Sequence, residues 1–193
     1  MKTNLRKVVI IVAVLNLAYF GVEFAVAVAI GSVSLFADSI DFLEDASVNF
    51  LIAVAIAWSA TNRARVGMAL AGILLIPSMA TLWTAWEKFM APLPPAFVPL
   101  SLAGAGALVI NLSCAFMLVQ FRAQSGSLTR AAFLSARNDA LANVAIIAAG
   151  LVTAYTISGW PDLIVGLGIA AMNADAAREV WSAARKEYSA ANS

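Results

Sequence analysis

Asp38-Ser39-Ile40-Asp41-Phe42-Leu43-Glu44-Asp45 lies inside an apolar run from Phe36 to Trp58, in a chain that contains no histidine. A run of that length is enough for a helix to cross a bilayer. Ionisable groups at such a depth are expensive and by default mark an ion pathway. On a helix Asp38, Asp41 and Asp45 fall at i, i+3 and i+7 and stack along one stripe, while Glu44 stands about a hundred degrees away. The stripe reads as a ladder for a cation.

The remainder of the sequence sets the class. The chain has 193 residues, 62% of them hydrophobic and 12% charged, with a mean hydropathy of +0.88. A soluble domain could not cover that much apolar surface. The expected fold is an all-α integral membrane bundle of six transmembrane helices, at about 8–30, 34–58, 65–87, 97–121, 130–156 and 161–181, forming one domain over residues 1–193. Breaks between the spans fall at Gly31-Ser32, Thr61-Asn62-Arg63, the cluster Pro92, Pro94 and Pro95, Gln124-Ser125-Gly126-Ser127, and Ser158-Gly159 before Pro161. With the N-terminus inside, Lys2, Arg6, Lys7, Arg63, Arg65, Arg122, Arg130, Arg178, Arg185 and Lys186 all fall on the cytoplasmic side, ten of the twelve basic residues. Lys88 faces outward and Arg137 sits within a span. Both termini are therefore expected in the cytoplasm, in a cell membrane of the bacterial inner-membrane kind.

Three features carry less. The basic start and Ala27-Val28-Ala29 resemble a cleaved signal, but the apolar run is too long and Asn16 and Glu23 interrupt it, so it is read as helix 1. Cys114 is single and lies within helix 4, which excludes a disulfide framework or cysteine metal cluster and makes it a small core residue. The net charge of +1 points to no charged partner, and no nucleic-acid partner is expected.

Helix 5 holds a second polar strand. Ser135, Asp139 and Asn143 share a face at i, i+4 and i+8, the spacing that Asp41, Asp45 and Asn49 follow in helix 2. Asp45-Ala46-Ser47-Val48-Asn49 and Asp139-Ala140-Leu141-Ala142-Asn143 both read Asp-Ala-x-x-Asn, offset by 139 − 45 = 94 residues. Leu15-Asn16-Leu17 and Ile110-Asn111-Leu112 repeat at 111 − 16 = 95. Two related halves of three helices each form an inverted repeat, a transporter signature with its site near the midplane.

Depth agrees with that pairing. At ~1.5 Å per residue, Asp45 lies roughly 16 Å from the outer end of helix 2 and Asp139 roughly 14 Å from the inner end of helix 5. In a ~30 Å core they meet near one plane. Asp41, Asp45 and Asp139 ionised together would repel, so the cluster should hold a divalent cation or take up protons. Metal and protons competing for one set of oxygens is the chemistry of an antiporter.

The string from Gly31 through Ser32-Val33-Ser34-Leu35-Phe36-Ala37-Asp38 to Asp45 resembles the helix 2 signature of the cation diffusion facilitators. Asp139 with the residues after it resembles the family's helix 5 element, and Asn16, Asn111 and Pro161-Asp162 also fit. The resemblance spans essentially the whole chain. It implies a homodimeric, proton-driven exporter of divalent metals, with metal ligands at Asp41, Asp45 and Asp139 and no cofactor beyond the transported ion. The position of the fourth ligand, often histidine in zinc carriers, aligns with Ser135. Oxygen donors favour harder ions, so manganese or iron is expected, while zinc held by three carboxylates and a water stays open. Asn138 or Asn143 could supply a further oxygen. The sequence stops a turn or two past helix 6, so the family's cytoplasmic ferredoxin-like domain is not expected, and dimerisation would run through the membrane helices.

Other roles are assigned on the same physical grounds. Asp38 is a solvated cap or an exit-path carboxylate. Asn16, Asn49 and Asn111 are expected to bridge helices, with Asn49 an alternative accessory group on the ion pathway. Glu23 or Glu44 is expected to pair with Arg137, and Trp58, Trp83, Trp86 and Trp160 anchor span ends. Pro77 can kink helix 3. Two rivals to an alternating-access antiporter are weighed. A magnesium-dependent intramembrane transferase would use the Asp-rich helix 2 for diphosphates, but it needs basic residues and the spans offer only Arg137. A non-transporting partner subunit would assemble with another carrier and bind no metal.

Overall fold

Residues 2–55, 58–91, 93–121 and 127–191 are described by the computed structural model; of Arg122, Gln124, Ser125 and Gly126 in one expected break, and of Pro92 in another, nothing is described. The described residues fold into six α-helices: α1 (Lys2–Ile30), α2 (Val33–Ala55), α3 (Ala60–Met90), α4 (Phe97–Val119), α5 (Ser127–Thr156) and α6 (Trp160–Ala191). Each expected span lies within a helix except that α4 closes two residues early and that, of the second span, residues 56 and 57 lie outside the described residues and Trp58 outside α2. Four helices are longer than expected: α1 begins about two turns sooner, α3 more than one turn sooner and α5 three residues sooner, and α6 runs ten residues past 181. Apolar windows cannot see these extensions, because a helix leaving the bilayer turns polar without losing its backbone hydrogen bonds.

By length and apolar character α1, α4 and α5 can cross a membrane. Six helices stand where the six spans are expected, and among the described residues these three are the ones long and apolar enough to cross a membrane. In α2 the reason is its own carboxylates, Asp38, Asp41, Glu44 and Asp45. Many outward-facing side chains are apolar, including Val14, Leu102, Phe116, Leu141 and Ile164, each more than half exposed. In water a surface like this would aggregate, and in a bilayer it is the lipid contact. Trp58, Trp83, Trp86 and Trp160 are exposed near helix ends, as anchors would be.

The main pairings are α1 with α2, α4 with α5, and α3 with α6, and α2 also packs against α5 and α6. Two apolar clusters close the bundle at opposite ends. One gathers Val9, Val12, Ile52, Cys114 and Leu118, the other Leu35, Leu100, Ala103, Ile146 and Ile169. Cys114 is a buried core residue, as expected. Between the clusters lies a polar waist containing Asn16, Glu23, Asp38, Asp45, Asn111, Asp139, Asn143 and Asn173, all buried.

Two close approaches set the helix positions. Tyr19 on α1 donates its hydroxyl to the Ala103 carbonyl of α4 at 2.6 Å. Gly166 of α6 lies against the start of α2, where an added Cβ would come within 2.7 Å of the Val33 carbonyl carbon and 2.8 Å of Ser34 N. Backbone cannot swing aside as a long side chain can. Gly166→Ala should therefore push α6 off α2 and cost about 1–3 kcal/mol, read as a lower unfolding temperature in detergent; an unchanged midpoint would show that this contact gives way freely.

Candidate metal site

The Asp38–Asp45 stretch of α2 runs through the waist. Its Asp41, Glu44 and Asp45 line a cavity of about 110 Å³, which α5 closes with Ser135, Asn138 and Asp139 and α6 with Met172 and Asn173. That is spacious for a cation still carrying part of its water, since one water needs only on the order of 10–15 Å³ of such space. Asp45 and Asp139 are both more than nine-tenths buried. Ser135 joins them: its Oγ donates to Asp45 Oδ1 at 3.0 Å and stands 3.5 Å from Asp139 Oδ2. One hydroxyl proton cannot serve both oxygens fully, so Ser135 couples the two carboxylates and leaves lone pairs facing the cavity.

Asp41, Asp45, Asp139 and Ser135, expected as ligands from the sequence, are thus brought around one space. Among the described residues, however, no three acidic or thiol side chains converge tightly enough to hold one ion together. The carboxylates stand at the cavity wall, where mutual repulsion in a medium of low dielectric favours separation.

Four sequence expectations change. Glu44 joins the cavity, although its angle from Asp45 argued against it, because it is the i+3 neighbour of Asp41 and flanks that residue on the side away from Asp45. Asp38 leaves the stripe: it is fully buried, so it is not a solvated cap, and it accepts a hydrogen bond from Asn143 Nδ2 at 2.5 Å. Asn143 is therefore not an oxygen donor to the cavity, since its Oδ1 accepts from Asn111 Nδ2 at 3.0 Å. The expected pairing of Arg137 with Glu23 or Glu44 is also absent, because Arg137 is exposed and donates to Asn138 Oδ1 at 3.2 Å.

The asparagines divide by role. Asn138 lines the cavity. Asn49 does not; its Nδ2 donates to the Asp45 carbonyl at 2.9 Å within its own helix rather than bridging to another. Asn111 bridges α4 to α5, as expected. Asn16 accepts a weak contact from Cys114 Sγ at 3.9 Å. Met172 and Asn173 were missed by sequence reasoning. The usable signal was Asn173, a carboxamide following the apolar run of α6, and its Nδ2 donates to the Ala37 carbonyl of α2 at 3.3 Å.

Another buried carboxylate has a structural task. Asp162, in the first turn of α6, accepts from Val33 N at 2.8 Å, Ser34 N at 3.2 Å, and the hydroxyls of Ser32 and Ser34 at 2.6 Å each. Ser32 in turn caps α2 by accepting from Leu35 N at 3.2 Å. Gly31, at φ +62°, makes the corner before it, and its carbonyl accepts from Lys88 Nζ at 2.6 Å. One corner of the bundle is thereby tied across α2, α3 and α6.

Long apolar helices wrapped around a waist of buried carboxylates define a membrane protein with a polar interior. The chain belongs to the cation efflux family: the family model of the cation efflux transmembrane domain matches residues 9–187. It is accordingly a metal cation transporter, and members of this family are transporters rather than enzymes. A comparison with curated proteins found no match.

Proposed function

We propose that the protein exports a divalent metal ion of the manganese and iron class from the cytoplasm in exchange for protons, by alternating access at the cavity between α2 and α5. The observation that carries this reading is the Ser135 bridge between Asp45 and Asp139, which joins the carboxylates of two helices at the wall of one cavity. Asp41, Asp45, Asp139 and Ser135 are the metal ligands in this reading, with Glu44 and Asn138 beside them. All of these donors are oxygens, which favours harder ions over zinc or copper. The carboxylates close on the ion when its charge removes their repulsion, and protons arriving from the far side displace it.

Both termini lie in the cytoplasm in this reading, since the exposed Arg6, Lys7, Arg65, Arg178, Arg185 and Lys186 gather at the end shared by the start of α1, the start of α3 and the end of α6. Arg65 lies over the Tyr188 ring at 5.8 Å, which fixes the α3 and α6 ends together. The two halves are related as an inverted repeat, consistent with the matched pairings of α1 with α2 and α4 with α5. The transporter works as a homodimer through its membrane helices in a bacterial inner membrane, with lipid covering the remaining apolar faces. The diphosphate-binding enzyme loses its one basic candidate, because Arg137 faces Asn138 at the exposed side of α5.

The test is uptake of manganese, iron, cobalt, zinc and magnesium into proteoliposomes under an imposed pH gradient. Flux that ignores the gradient would indicate a uniporter, and the absence of metal binding a partner subunit. The ligand set makes a further forecast: Ser135→His places an imidazole between Asp45 and Asp139 and should raise zinc transport relative to manganese by about tenfold, the effect of roughly 1.4 kcal/mol of ligand preference. An unchanged metal order would remove Ser135 from the first ring of donors.

A further inference from the structure

A second acidic pair lies outside the metal cavity, between α1 and α2. Glu23 and Asp38 are both fully buried, and neither lines the cavity. Neither oxygen of Glu23 meets an N–H or hydroxyl donor, and nor does Asp38 Oδ1. Tyr19 and Phe42, one turn away from them on the antiparallel helices α1 and α2, meet with ring centroids 5.1 Å apart, which sets Glu23 and Asp38 opposite one another. Ionised carboxylates only accept hydrogen bonds, so this pairing is favourable only when one of the two carries a proton.

The surroundings select that proton over a metal ion. Asp38 Oδ2 already accepts from Asn143 Nδ2, which is held from behind by Asn111. Asp38 thus has a donor and Glu23 has none, so Glu23 is the member placed to hold a shared proton and donate it to Asp38. The titratable neighbours are Tyr19 on α1, Asp41 on α2 and Asp139 on α5, while α4 offers the neutral Asn111. None is basic, and the Tyr19 hydroxyl is committed to Ala103.

We propose that Glu23 and Asp38 form a proton site separate from the metal site, which gives up its proton when the metal site fills. The two are linked through shared helices: α2 carries Asp38 and the ligands Asp41 and Asp45, and α5 carries Asn143 and the ligand Asp139. Negative charge on Asp41 and Asp139 favours keeping the proton on the pair. A divalent cation in the cavity reverses the sign of that field and favours release. The sign for metal binding follows by linkage: the protonated pair opposes the metal, so affinity rises as pH rises through the titration of the pair. The proposal rests on the proton-exchange reading for its physiological role, but the release itself is measurable without a membrane.

The experiment adds manganese to the full chain in weakly buffered detergent and measures proton release with an indicator dye, while manganese binding is followed by paramagnetic resonance. Glu23→Gln and Asp38→Asn should still bind manganese but release about one proton fewer than the unaltered chain. Infrared spectra of the metal-free protein should contain a protonated-carboxyl band that Glu23→Gln removes and Asp45→Ala leaves in place. Full proton release from Glu23→Gln, or survival of that band in it, would overturn the proposal. Failure of the exchange reading looks different, since liposome flux would then ignore the pH gradient while Glu23→Gln still lowered release in detergent.

Discussion

Asp45→Ala and Asp139→Ala should each abolish metal transport while leaving a folded, membrane-inserted protein. Each removes one of four carboxylates at the cavity wall and one acceptor of the Ser135 hydroxyl. A divalent ion leaving water needs that charge, since oxygen ligands without charge do not offset its lost hydration in a medium of low dielectric. Loss of a carboxylate that merely orients a ligand costs about 10- to 100-fold in metal affinity, so loss of a ligand itself should cost at least that. The isosteric Asp45→Asn and Asp139→Asn keep shape and hydrogen bonding and should fail nearly as badly, which separates charge from packing. Glu44→Gln should weaken transport less, because Glu44 sits beside Asp41 rather than at the Ser135 bridge. Proteoliposome flux at rate-limiting metal decides the matter, and normal flux from Asp45→Ala would place the ion elsewhere.

The six helices were legible because apolar runs of bilayer length leave little choice of structure. Their ends were not, since Lys2 to Lys7, Ala60 to Ala64 and Ser182 to Ala191 are helical beyond the apolar windows. Within α2 the i, i+3 and i+7 spacing put Asp38, Asp41 and Asp45 on one stripe, of which the structure places Asp41 and Asp45 at the cavity and Asp38 away from it. Asp38 and Glu44 flank Asp41 on opposite sides, so a single helix cannot say which of them meets α5 and α6 across the cavity and which meets α1. The neighbours decide it: Asn143 bonds Asp38 and Glu23 stands opposite it on α1, while Met172 and Asn173 close the space beside Glu44. Ser135 and Asp139 were legible by their correspondence with Asp41 and Asp45. Glu23 was misread because a lone buried carboxyl suggests a basic partner. A second carboxyl holding a shared proton satisfies the same physics, and no spacing rule reveals it when the two groups sit on different helices.

Asp162→Ala is the change expected to cost most in stability, although Asp162 lies far along the chain from every proposed ligand. Its two oxygens receive hydrogen bonds from two backbone amides and two hydroxyls at the start of α2. As an anion beside a helix N-terminus it also meets the positive end of the α2 dipole. Removing it leaves buried donors without partners, at about 1–3 kcal/mol each before relaxation. The hydroxyls of Ser32 and Ser34 can turn to one another, being already 3.3 Å apart, but the amides of Val33 and Ser34 cannot. The net loss should therefore be about 3–5 kcal/mol, of the size seen when one partner of a buried charged network is deleted. Asp162→Asn should fall between, since its amide nitrogen must turn one acceptor into a donor facing donors. Unfolding temperature in detergent reads the series, with the order native, Asn, Ala. A secure corner here also bears on transport, because α2 carries the ligands and α6 closes the cavity, and Asp162 is what ties the two together at that end. An Ala variant as stable as the native chain would mean that water reaches these donors and that the corner is open rather than dry.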